Sequence, residues 1–203
     1  HHNNDGIDLD CCQRVRVANC RITSGDDAIV LKSTAPRPCR EITVTNCYLR
    51  SRCSAFKCGT ESSGDFQDIT FSNSVIADTR LCAIALEMVD GGVLDGISIS
   101  NIRIRRTRGA IFMRLGNRAR PHLAEGPGGS RGTFTAPPGT PTPPMGKFRN
   151  VFISQVTADG CDATGCAIAG LPGHPLENVT LSGIKLSFEG GGTVEDARRE
   201  VPE

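Results

Sequence analysis

Four aspartates near the start of the chain are the residues best placed to do chemistry. They sit in Asn3-Asn4-Asp5-Gly6-Ile7-Asp8 and in Ser24-Gly25-Asp26-Asp27-Ala28-Ile29. If Ile7 and Ile29 occupy equivalent positions of neighbouring strands, Asp5 falls beside Asp27, with Asp26 adjoining. Carboxylates crowded together push at least one pKa upward. One protonated acid beside one ionised base is what cleavage of a glycosidic bond requires. The same residue types also suit a calcium site or plain turns. The residues alone leave these three readings open, and they place no basic residue beside the cluster.

Such a cluster needs a scaffold that repeats. A β-rich phrase returns along the chain as Val15–Cys20, Ile42–Cys47, Ile69–Ser74 and Ile97–Ile102, then in weaker form as Val151–Val156 and Val179–Ile184. The first residues of these phrases lie 27, 27, 28, 54 and 28 apart. Within each phrase apolar and polar residues alternate with the period of a strand. A second apolar segment follows in most repeats: Ala28–Leu31, Ala55–Cys58, Ala83–Leu86, Ala110–Met113 and Cys166–Ala169. Short strands in each repeat cannot bury a face alone, whereas stacked coils bury one continuously. The spacing therefore predicts an all-β fold, a right-handed single-stranded parallel β-helix with coils of about 27 residues. The 54-residue step predicts either a large insertion or an extra turn. Asn19, Asn46, Asn73 and Asn101 fall in register and predict a buried asparagine ladder at one corner, with Cys20 and Cys47 stacked beside it. The only helix expected is a terminal turn around Glu195–Arg199.

Residues 1–203 read as a single, partial β-helix domain, the later part of a longer solenoid. Asn117–Lys147 holds seven of the twelve prolines and reads as a Pro/Gly-rich loop inserted into it. The formal charge of +1 gives no overall electrostatic footprint for nucleic acid or an anionic membrane. No apolar run approaches the roughly 18 residues of a membrane-spanning helix. Ten cysteines without zinc-site spacing read as small buried hydrophobes, with one or two disulfides as the alternative. One Tyr, eight Phe and no Trp point to a narrow interior of stacked aliphatic side chains.

On these motifs and this period the chain resembles glycoside hydrolase family 28, the polygalacturonase family, whose signatures include Asn-Thr-Asp and Gly-Asp-Asp. The resemblance implies that Asp26 is the general acid and that Asp5 and Asp27 activate water, with inversion at the anomeric carbon. For an inverting pair, a separation of roughly 6.5–9.5 Å follows. The family's Gly-His-Gly falls at Cys53-Ser54-Ala55, so Ser54 stands where histidine is expected. Its Arg-Ile-Lys falls at Ala85-Leu86-Glu87, placing a carboxylate where cations grip a uronate. Lys57 and Arg114 are the cations available to replace them. Arg114 is expected to stack on Glu87, as a structural ion pair or as part of a sugar clamp. Of the histidines, His1 and His2 adjoin the acidic motif, and His122 and His174 read as solvated.

The resulting expectation is an inverting glycosidase acting on galacturonan or a rhamnogalacturonan-like glycan. Asp5, Asp26 and Asp27 are catalytic, Lys57, Glu87 and Arg114 contact substrate, and neither metal nor cofactor takes part. The partner is a polysaccharide, with no nucleic acid or membrane, and the protein acts as an extracellular or periplasmic monomer. The alternatives are a polysaccharide lyase and a non-catalytic, carbohydrate-binding or structural β-helix.

Overall fold

The computed structural model describes residues 3–118, 144–163, 165–190 and 192–198. Its strands are β1 (Ile7–Asp10), β2 (Arg16–Ala18), β3 (Arg21–Ser24), β4 (Ile29–Ser33), β5 (Cys39–Thr45) and β6 (Tyr48–Ser51). They continue as β7 (Phe56–Ser62), β8 (Phe66–Met88), β9 (Val93–Leu115), β10 (Lys147–Cys161), β11 (Ala167–Ala169) and β12 (Glu177–Phe188). The longest of these strands bend round a corner and serve more than one face. Among the described residues there is one short helix, α1 (Val194–Ala197), where a terminal turn was expected.

The strand pairs of the solenoid are parallel, and together they make a right-handed β-helix of about five turns. Three inward columns run along its axis. The first stacks Ile7, Ile29, Phe56, Ile84 and Ile111. The second stacks Val17, Val44, Phe71, Ile99, Ile153 and Leu181. The third stacks Ile22, Leu49, Ile76, Ile104, Ala158 and Leu186. β-branched and aliphatic side chains in register fill each layer from three sides, which is why the 27-residue spacing was visible in the sequence. The interior is not wholly aliphatic, since Phe56, Phe66, Phe71 and Phe148 are its bulkiest fully buried side chains. Phe56 and Phe71 stack across it with centroids 4.4 Å apart.

Of the two readings of the 54-residue step, the insertion is correct. Val151 pairs directly with Ile97 and Ile153 with Ile99, leaving no coil between β9 and β10. Most of the 117–147 loop lies outside the described residues.

The asparagine ladder forms, but on the surface. Asn46 Nδ2 donates to Asn19 Oδ1 at 2.6 Å and Asn101 Nδ2 to Asn73 Oδ1 at 2.9 Å, and these side chains are exposed. Asn73 instead reaches Thr45 Oγ1, so the ladder skips a step. The physical cause of the asparagines is the backbone, because all four sit at φ between 50 and 60°. Asparagine tolerates that left-handed region better than most side chains. A second left-handed corner recurs at Arg14, Glu41, Asp68, Gly96, Asn150 and Asn178, where the residue type varies too much to announce it.

All ten cysteines are free thiols, so the disulfide alternative is not realised. Burial pushes the thiols of Cys39 and Cys82 up to about 12, and burial also raises the fully buried Cys58 well above the ordinary thiol value. The thiolate is the reactive form. Brief alkylation at mildly alkaline pH, read by peptide mass spectrometry, is therefore expected to label exposed Cys166. It should leave Cys39, Cys58 and Cys82 unmodified until the protein is denatured.

Candidate active site

The aspartates meet at the corner that leads into β1 and β4. Backbone bonds continue round this corner: Gly6 N–H donates to Asp27 O at 2.9 Å and Ala28 N–H to Ser54 O at 2.9 Å. Asp5, Asp27 and Ser54 therefore stack on three successive coils. Side chains complete the corner ladder. Asp27 N–H donates to Asp5 Oδ1 at 3.0 Å, and Ser54 N–H donates to Asp27 Oδ1 at 2.9 Å. The Asp27 amide is also 3.0 Å from Asp26 Oδ1, so carboxylates of Asp5 and Asp26 converge on one N–H. Two glycines permit this approach. A Cβ at Gly25 would collide with the Asn4 side chain, and one at Gly6 would lie 2.5 Å from Ala28 O.

Two lysines enter this cluster, contrary to the expectation that no basic residue lies beside it. Lys32 Nζ lies 3.0 Å from Asp5 Oδ2 and 2.8 Å from Asp8 Oδ1. Lys57 Nζ lies 3.4 Å from Asp27 Oδ2 and 3.5 Å from Glu87 Oε1. Burial works to lower the pKa of both lysines, but the carboxylates around them prevail and hold both above the usual value. Burial raises the Asp8 carboxyl, with Lys32 opposing it. It also raises Glu87, whose side chain is 6% exposed and shares one ammonium with Asp27. Glu87 pairs in register with Arg114, as expected.

The three aspartates differ in their partners. Asp5 and Asp27 each accept a backbone N–H on one oxygen and a lysine ammonium on the other. This is the acceptor-only pattern of a carboxylate. Asp26 is half-buried, and no Lys or Arg among the described residues forms an ion pair with it. One oxygen each of Asp26 and Asp27 and the Cys53 Sγ lie within 4.8 Å of one another. This group makes a poor calcium site, which draws on six to eight oxygens, because burial keeps the Cys53 thiol protonated and the Lys57 ammonium already meets the charge of Asp27.

His174 is exposed in the turn closed by the Leu171–His174 bridge, while His1, His2 and His122 lie outside the described residues.

Glu87 yields a pH-dependent prediction. Its raised folded-state pKa means that the folded protein holds the proton more tightly than the unfolded chain. Stability is then lost as pH rises from the ordinary carboxyl range through the raised value. Glu87→Gln removes this slope, and Lys57 keeps Asp27 as its partner. Urea midpoints measured across that window should fall with pH for the parent and stay flatter for the variant.

The chain is a right-handed parallel β-helix that gathers carboxylates and two lysine ammonium groups at one corner. The model of glycosyl hydrolases family 28 matches residues 1–113, and the chain belongs to that family. Among solved structures, a hyperthermoactive exopolygalacturonase from Thermotoga maritima superposes with a TM-score of 0.69 at 22% identity. The match covers 92% of this chain and 41% of that one, a likeness of fold. No curated protein sequence matches the chain.

Proposed function

We propose that the protein hydrolyses a glycosidic bond in a pectic-type polysaccharide, either galacturonan or a rhamnogalacturonan-like glycan. The observation that carries this reading is the unequal partnering of the three aspartates. Asp26, with no ion-pairing cation, gives its proton to the departing glycosidic oxygen. Asp5 and Asp27, each tied to a lysine, orient a water and take its proton. Lys57 and Glu87 line the floor beside them, where Lys57 fixes Asp27. Arg114, stacked on Glu87, is the guanidinium next along this floor for a sugar carboxylate. The polymer places the enzyme outside the cytoplasm, where it works as a monomer.

Inversion is the stereochemistry the family resemblance supports, with the water on the Asp5–Asp27 side. Proton NMR of the first product formed from pectic oligosaccharides tests it. The anomer opposite to the substrate's is expected. The substrate's own anomer would favour a retaining route. An unsaturated, ultraviolet-absorbing product would point to a lyase, for which Lys32 and Lys57 supply basic groups. Binding without any released reducing ends would point to a carbohydrate-binding β-helix.

A further inference from the structure

The outward face of β3, β6 and the middle stretches of β8, β9 and β10 carries charge that the catalytic corner does not use. Arg21, Arg50, Arg103, Arg105 and Lys185 stand in its two outward columns. Asp159 stands in the same columns, and Asp78 lies at their edge, paired with Arg50 at 3.2 Å and with Arg106 at 2.7 Å. Tyr48 belongs to the same face, with the Arg21 guanidinium 4.6 Å above its ring.

A groove of about 310 Å³ opens beside these columns, two coils along the axis from the corner of Asn19. Its lining includes Asn73, Ser74, Asn101, Arg103, Gln155 and Thr157. Amides and hydroxyls of this kind exchange hydrogen bonds with sugar hydroxyls, and an arginine fork matches a carboxylate. Arg103 Nη2 donates to Asp159, whereas Arg103 Nη1 is buried and the protein supplies it no acceptor. Nη1 itself has no accessible surface for a ligand, but the Arg103 side chain as a whole is 40% exposed beside the groove. The volume is at the small end of ligand sites and suits a short sugar segment. No aromatic ring lines the groove, which disfavours nucleobases, since stacking is a principal source of their affinity.

We propose that this groove is a second, non-catalytic subsite for an acidic sugar. Arg103 grips the carboxylate, and Asn73, Asn101, Gln155 and Thr157 hold ring hydroxyls. That the acid is a uronate rests on the pectic reading above, and a binding readout keeps the two separate.

The test is a titration with tri-galacturonate, followed through ¹⁵N-labelled amide signals in the Asp26→Asn background, which blocks turnover. The side-chain amides of Asn73, Asn101 and Gln155 are expected to shift with a saturable curve, apart from the backbone amides of Asp27 and Ser54. Arg103→Gln should weaken the groove curve about tenfold or more and leave the Asp27 and Ser54 curve in place. Arg103→Lys should be intermediate. Thr157→Val, which leaves the Arg103–Asp159 pair intact, should weaken the groove curve by a smaller factor.

The subsite is refuted if the groove amides stay still while the corner amides shift, or if Arg103→Gln leaves their curve unchanged. A neutral galactan trisaccharide or a short oligonucleotide that shifts them as strongly would also overturn it. Still corner amides beside shifting groove amides would instead count against the hydrolase reading.

Discussion

Asp26→Asn is expected to lower kcat on a pectic substrate by about 10²–10⁴-fold, the usual worth of a positioned general acid. The fold should hardly respond. Asn retains an oxygen to accept the Asp27 N–H, now 3.0 Å from Asp26 Oδ1, and it disturbs no ion pair among the described residues. Thermal or urea unfolding should place the variant within about 0.5 kcal/mol of the parent, as for a substitution that removes neither packing nor a charge partner. Asp27→Asn behaves differently, because it takes a carboxylate from Lys57 and so lowers stability as well as rate. A second readout separates the acid from the base. An aryl glycoside with an acidic phenol needs little help in leaving, so Asp26→Asn should recover much of its deficit on that substrate. Asp27→Asn should not, because the water still needs its base. A loss of less than tenfold for Asp26→Asn on the natural linkage would remove the acid assignment.

The acid corner could be found in advance because one alignment, Ile7 against Ile29, fixes it. A strand register that stacks isoleucines must also stack the residues two positions before them, Asp5 and Asp27. The repeat was legible for the same reason, since its inward columns keep their chemical type from coil to coil. The lysines were not legible. Register sets Lys57 against Val30 and Ala85, yet its long stem carries Nζ to Asp27 and Glu87. Lys32 likewise pairs in register with Asp10 and reaches Asp5 and Asp8. Mapping the outward alternation of β4 would have put Lys32 on the face of the acids. Exposure of the asparagine ladder escaped because spacing reports which residues stack, not whether the turn faces water. The left-handed corner at Arg14, Glu41 and Asp68 had no shared residue type to reveal it.

Lys57→Met is expected to be among the most damaging single substitutions to the fold, costing about 3–5 kcal/mol. Methionine fills much the same space, so the loss is electrostatic. The ammonium lies between Asp27 and Glu87, whose side chains are 7% and 6% exposed, and its removal leaves two buried carboxylates facing each other. Against a typical stability of about 5–15 kcal/mol, that is a large share. Three features distinguish this account from simple loss of packing. Adding Glu87→Gln to Lys57→Met should restore part of the loss, a coupling that a double-mutant cycle measures. The deficit should shrink as pH falls through the raised value of Glu87, because that acid is then neutral and one charge needs no partner. At high pH the parent converges on the variant from the other side. The raised pKa of Lys57 means that its contribution is complete below the ordinary lysine value of 10.5 and is lost as pH rises through the folded-state value. A variant whose urea midpoint trails the parent by the same margin at every pH, with or without Glu87→Gln, would show that Lys57 serves the fold through its stem and not its charge.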